Sequence, residues 1–376
     1  MNAERLRGIV NLLLGGESKE QLQDRLAALR NDVNSLAGNP ADQNIQRQTA
    51  ANLANFERGV KSFEASLSPA QIKQLAEIKA YSFFTSDMVA ELNNSFAKNG
   101  ITPAVVQQQI NSLFESRQRY LETLRHLQTS LESIGVTEEA LEPGQAEMGF
   151  RLPRDLFDNN LGDFQNELKV LNGIIRTFYE LNGESPPPIQ VRQISTSDVL
   201  IYVLLALNVI QSLGQAIKWC NDTIKASMEL KTLVDLAKAA SVDADVSAAL
   251  EGQVEKKITA SIQAKLKAVV DQFKGPPERK QELTTSLEKS LRQLLERVAN
   301  GMTVEIRLLP PPKKEDSSPE EQNLQTQFED VKLLAQSLDF PQIPPGTPML
   351  QITRVPDEPV KKAEEPPKKP APPKKA

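Results

Sequence analysis

The chain has 376 residues, enough for two or three structural units around sizeable cores. Its net charge of −5 gives no reason to expect a nucleic-acid binder, and aromatic residues at only 5% favour helices packed through Leu, Ile, Val and Ala over one broad core. A single cysteine, Cys220, excludes an intrachain disulfide and a cysteine zinc cluster, and a single histidine, His126, excludes a histidine metal site.

Arg5 and Arg7 precede Ile9-Val10-Asn11-Leu12-Leu13-Leu14, an apolar stretch shorter than a typical signal h-region and interrupted by Asn11. It reads as a short first helix of a cytoplasmic chain. Ser18 and Gln21 have capping-box spacing, and Leu22, Leu26, Leu29, Val33 and Leu36 follow at alternating steps of four and three. A helix expected to begin near Pro40 repeats the pattern with Leu53, Phe56, Val60, Phe63 and Leu67. Ser68-Pro69-Ala70-Gln71 predicts another helix start.

The longest pattern opens at Thr102-Pro103 and runs through Val106, Ile110, Leu113, Arg117, Tyr120, Leu124, Leu127, Leu131 and Ile134 to a stop at Gly135. Strict alternation of this kind is a coiled-coil seam, and the helix would be roughly 45–50 Å long. Arg117 holds a seam position. It is a candidate for setting register or partner choice, against the plainer expectation that its head reaches solvent. His126, just off the seam, is expected to face water.

Glu138 to Pro153, rich in Glu, Gly and Pro, reads as a loop. Phe157, Leu161, Phe164, Leu168, Leu171, Ile175 and Phe178 predict a second seam. Glu184 to Pro188 is a linker, and Ile189 to Ile194 a short strand. Ser195 to Asp198 supplies N-cap residues for the most apolar segment, Val199 to Ile217, which carries no charge. It is expected to open a helix running to about Ala240. As a helix the segment would span about 28 Å, close to the ~30 Å hydrocarbon thickness of a bilayer. Its second half is striped, because Asn208, Gln211, Ser212 and Gln215 share one face, and nearby Gly214 would admit close helix packing. Two readings follow: a core helix of a bundle, or a helix in contact with a membrane. The candidate membrane or partner contacts are Val199, Leu200, Ile201, Val203, Leu204, Leu205, Leu207 and Ile210. Cys220, beside Trp219, is expected to be a buried structural thiol.

Further helices are expected on Val246 to Phe273 and on Leu283 to Val298. Met302 to Leu309 alternates like a strand, Glu320 to Leu338 is a short helix, and Met349 to Val355 is a second strand candidate able to pair with the first. From Pro356 onward the Pro, Lys, Glu and Ala tail is expected to be disordered. The fold class is therefore all-α, with long antiparallel helices in a bundle or coiled-coil-like arrangement, a small C-terminal strand element and a disordered tail. The expected units are a helical bundle over 1–142, a second helical unit over 143–301 with a central apolar helix at 199–240, a small α/β appendage over 302–355 and the tail over 356–376.

No glycine-rich phosphate loop, HExxH, CxxC or GxSxG is present, so no catalytic residue, cofactor, metal or small-molecule substrate is assigned. The expected function is that of a non-enzymatic helical scaffold with a protein partner or with self-association through its seams. The layout also resembles, in outline, the α-helical pore-forming toxins. The seams from Leu22 to Ile134 and Phe157 to Phe178, with Val246 to Phe273, correspond to the rod, and Val199 to Ile217 to the apolar head. That resemblance implies a membrane-active protein as the alternative. The Pro-rich C-terminal region and the lack of an export signal depart from it.

Overall fold

The computed structural model describes residues 3–99, 102–137, 141–195, 199–239, 244–271, 273, 277–312 and 318–341. Among them the chain is mostly helical, with one small antiparallel sheet and two separate apolar cores.

The first core comes from α1 (Ala3–Glu20), α2 (Leu22–Gly38), α3 (Gln43–Ala65), α4 (Pro69–Glu77), α5 (Tyr81–Phe84), α6 (Ser86–Lys98) and α7 (Pro103–Ser133). α1 and α2 are nearly continuous and part at Gln21, whose φ of 51° is left-handed. The capping box expected at Ser18 and Gln21 does not form, because Ser18 lies inside α1. Glu17 takes over the task and accepts from the Gln23 N–H at 2.7 Å. α3 is capped by Asp42, and α4 opens with the expected box of Ser68 and Gln71 with Pro69 at its first position. α7 packs on α1 and α2, and α2 on α3. The seam of the long helix is thus closed within one chain, with Val106, Ile110 and Leu124 buried beside Leu22, Leu26 and Leu29. Ile134, at its far end, is 74% exposed.

The second core comes from β1 (Gln145–Leu152), α8 (Leu161–Leu181), β2 (Gln190–Ser195), β3 (Val199–Leu204), α9 (Leu207–Ala239), α10 (Ala244–Val270), α11 (Lys280–Ala299), β4 (Thr303–Leu309) and α12 (Pro319–Ser337). The strands lie in the order β2-β3-β1-β4, and every neighbouring pair is antiparallel.

Four expectations are corrected here. The loop expected over 138–153 contains β1, whose Ala146, Met148, Phe150 and Leu152 alternate into the core. The apolar helix expected over 199–240 is divided: Val199–Leu204 is strand, and α9 starts only at Leu207. α8 starts at Leu161 and not at Phe157, which closes a 3-10 turn (Arg154–Leu156), so Leu161 is 81% exposed. The expected appendage is no separate body over its described residues, since β4 pairs with β1 and Phe328 and Val331 of α12 belong to the second core. The strand candidate Met349 to Val355 and the tail lie outside the described residues.

Close packing explains two glycines. A Cβ on Gly149 would stand 2.6 Å from Cε1 of Tyr202, its cross-strand partner, so the tyrosine ring lies over β1 only because a glycine is there. A Cβ on Gly214 would stand 2.6 Å from Leu334 Cδ2, which is how closely α12 approaches α9. The polar stripe of α9 turns partly to α8 and the segment after it. Ser212 accepts from Asn182 at 2.9 Å, and Asn208 donates to Glu184.

Candidate interaction surface

β4 is the terminal strand on its side of the sheet. Val304 and Ile306 turn into the second core, whereas Glu305 and Arg307 turn towards α1 and α4. The strand ends at Pro310-Pro311-Pro312, where proline offers no N–H to continue a ladder. α12 then begins with a capping box of Ser318 and Glu321, with Pro319 at its first position.

α12 runs antiparallel to β4. Its Leu324 and Gln327 line one pocket with Gly144, Gln145 and Ala146, and Gln145 is the partner of Leu309 at the end of β4. Beyond its other end, Asn221 Nδ2 donates to the Asp339 carbonyl at 2.7 Å and Lys73 Nζ to the Phe340 carbonyl at 2.9 Å. Burial lowers the pKa of the Lys73 ammonium, with Asp339 opposing and Arg151 adding to the shift. Arg151 is the partner of Thr303 at the start of β4.

Along β4 lies a groove of about 520 Å³. Ile306 to Pro310 form its floor, Phe328, Glu329, Lys332 and Gln336 of α12 one wall, and Ser66, Ser68 and Gln71 at the α3–α4 turn the other. Among the described residues, the backbone of β4 is hydrogen-bonded to β1 and its lead-in, and no backbone bond crosses to the groove side.

Polar contacts latch the walls in place. Arg5 pairs with Glu305 at 3.2 Å, and Gln74, in the amide orientation that satisfies both of its ends, accepts from Arg5 Nε at 3.1 Å. Arg307 pairs with its cross-strand neighbour Glu147 at 3.1 Å and stands 4.8 Å over the Tyr202 ring. Gln336 donates to the Ala65 carbonyl at 3.4 Å. Of these groups, Arg5, Gln74, Tyr202, Glu305 and Arg307 line a cavity of about 250 Å³ between α1, α4 and the sheet.

The residues singled out from the sequence fall elsewhere. Val199, Leu200, Ile201, Val203 and Leu204 are on β3, Leu205 lies between β3 and α9, and Leu207 and Ile210 are in the first turn of α9. Leu200, Ile201, Val203, Leu205 and Ile210 are buried, and Val199, Leu204 and Leu207 are half-buried. Most of them form an interior, and Leu204, Leu205 and Leu207 line an open pocket beside Gln190 and Leu324. No helix among the described residues is long and apolar enough to cross a membrane.

Arg117 does not reach solvent. It is fully buried, with Nη2 2.5 Å from Glu17 Oε2, Nη1 donating to Gln23 at 2.8 Å and Nε to the Phe83 carbonyl at 3.0 Å. A second buried arginine, Arg297, grips Glu167 through Nε at 2.7 Å and Nη2 at 3.0 Å. That pair gave no signal in the heptad pattern. His126 is exposed and Cys220 buried, as expected.

Among the described residues, no group of three or more His, Cys, Asp or Glu side chains is placed to hold a metal ion. No family model matches the chain, and comparison with curated proteins and with solved structures finds no match either.

Proposed function

We propose that the chain is a non-catalytic interaction protein, a helical scaffold that offers the outer edge of β4 to an extended polypeptide segment. The observation that carries this reading is the open side of β4, floored by strand and walled by two helical elements. An edge strand presents a row of backbone donors and acceptors, and an added strand satisfies them while side-chain pockets supply selectivity. The opposite edge is a poorer template. Although Val191 and Ile194 are 55% and 50% exposed, β2 breaks register between Val191 and Gln193, and Arg192 stands in that irregularity. The heptad seams, the other surfaces suited to association, are occupied within the chain.

The test is binding of the full-length protein to seven-residue peptides with alternating apolar positions, supplied at about millimolar concentration to outcompete any intramolecular occupant. Binding of a subset is expected. It should be lost in Lys332→Trp, which fills the groove from the α12 wall, and in Leu308→Pro, which removes a strand donor on the side away from β1. Binding that ignores both substitutions, or no binding at all, contradicts the reading.

A further inference from the structure

We infer that the cavity between α1, α4 and the sheet binds a small aliphatic primary ammonium compound, held by Glu305 and Glu4. This goes beyond the reading of β4 as a receiving edge and does not rest on it. Three observations support the assignment.

The first is an orphaned acceptor. The Glu305 side chain is nine-tenths buried and turns from β4 into the cavity. Arg5 holds its Oε2 at 3.2 Å, while its Oε1 has no hydrogen-bond partner among the described residues. A buried carboxylate oxygen without a donor carries a desolvation cost that a ligand N–H would offset. The second is size. A cavity of about 250 Å³ has the volume of roughly eight waters at ~30 Å³ each, too much for one bridging water, and lies just below the ~300–1,000 Å³ of sites for drug-sized molecules. Its occupant is therefore small.

The third is charge. Two cations line the cavity, and each already faces a carboxylate: Arg5 has Glu305, and Arg307 has Glu147 at 3.1 Å. Glu4, half-buried in the first turn of α1, lines the same cavity without an ion pair among the described residues. α4 also opens towards this space, but its first turn is not left to recruit an anion. Ser68 Oγ accepts from the Gln71 N–H, and the Gln71 side chain accepts from the Ser68 N–H. The balance calls for one positive charge with N–H donors, and an ammonium supplies three. A metal ion fits less well, because the described lining adds no His, Cys or third carboxylate to Glu4 and Glu305. The amides of Gln71, Gln74 and Gln193 suit a second polar group on the ligand, such as a hydroxyl. Glu4 belongs to α1 and Glu305 to β4, so the bound ammonium ties the first core to the second.

The experiment is calorimetric titration of the full-length protein at pH 7 and low ionic strength with 4-aminobutan-1-ol and, in parallel, with butane-1,4-diol, a molecule of the same size without the charge. Saturable binding of the amine is expected, at least about tenfold tighter than that of the diol. Glu4→Gln, a change of charge at a half-buried position, should weaken the amine about tenfold. Gly8→Leu keeps every charge, adds bulk at the cavity wall and should abolish binding. If Gly8→Leu fails to fold by circular dichroism, Glu4→Gln still decides. No saturable binding of the amine would overturn the inference and leave water as the occupant. Equal affinity for amine and diol, or amine binding indifferent to Glu4→Gln, would overturn it as well.

Discussion

Replacing Arg117 with Ala should destabilise the first core by about 3–5 kcal/mol, the usual result of stripping one partner from a buried ion pair. The cost has named parts. Glu17 is only 8% exposed and would lose its cation, and the Phe83 carbonyl and the Gln23 amide would lose their donor. The guanidinium also sits 4.9 Å over the Phe84 ring, and the substitution removes that cation–π attraction as well. Arg117→Lys should recover only part of the loss, because one ammonium cannot reproduce a planar fork aimed at three acceptors. Arg117→Met with Glu17→Gln should recover more, since no buried charge is left and the glutamine oxygen still caps Gln23. Denaturant unfolding followed by circular dichroism measures all three variants. A loss below about 1 kcal/mol for Arg117→Ala would mean that the side chain lies at the surface.

Ile210→Lys should prevent the second core from assembling. Removing the bulk of a fully buried isoleucine costs about 2–5 kcal/mol, and desolvating an unpaired ammonium adds several more, together comparable to the whole stability of a domain. Leu204→Lys, by contrast, should cost about 1 kcal/mol, because this half-buried side chain lines an open pocket where an ammonium can reach water. Trp219, the only tryptophan, packs on the second core and donates to Ser261 at 3.1 Å, so its fluorescence reports on that core directly. The expected pattern is a red-shifted, unfolded-like spectrum for Ile210→Lys and a native spectrum for Leu204→Lys. Equal tolerance of lysine at both positions would contradict the division of this segment into strand and helix, because only an exposed apolar helix treats the two alike.

How much was legible in the sequence depended on how each segment is buried. Helices buried on one side declared themselves. Val106, Ile110, Arg117, Leu124 and Leu131 of the α7 stripe, the Ser68 and Gln71 box and the polar stripe of α9 lie where their spacing placed them, whereas Leu121 is buried off that stripe and Ile134 is exposed. β4 was legible for the same reason, with Val304 and Ile306 inside and Glu305 and Arg307 facing the other way. β3 was not. As an inner strand it is covered on both faces, so Val199–Leu204 shows no alternation, and a continuous apolar run followed by an amphipathic helix reads as one long helix.

β1 does alternate, but flanking Glu, Gly and Pro residues gave it the look of a loop, and its partners lie far along the chain. The role of Arg117 hung on Glu17, a hundred residues away, where heptad spacing carries no information. The groove was beyond sequence reasoning for a related reason. Its floor and walls come from three separated segments that meet only once both cores have formed.

Amide hydrogen exchange of the full-length protein, with and without the tightest-binding seven-residue peptide, tests the central claim most directly. Strand addition at the groove predicts slowed exchange across Val304–Leu309, with β2 unchanged. Unchanged exchange in β4, or slowing confined to β2, would contradict it and place the interaction surface on another part of the molecule.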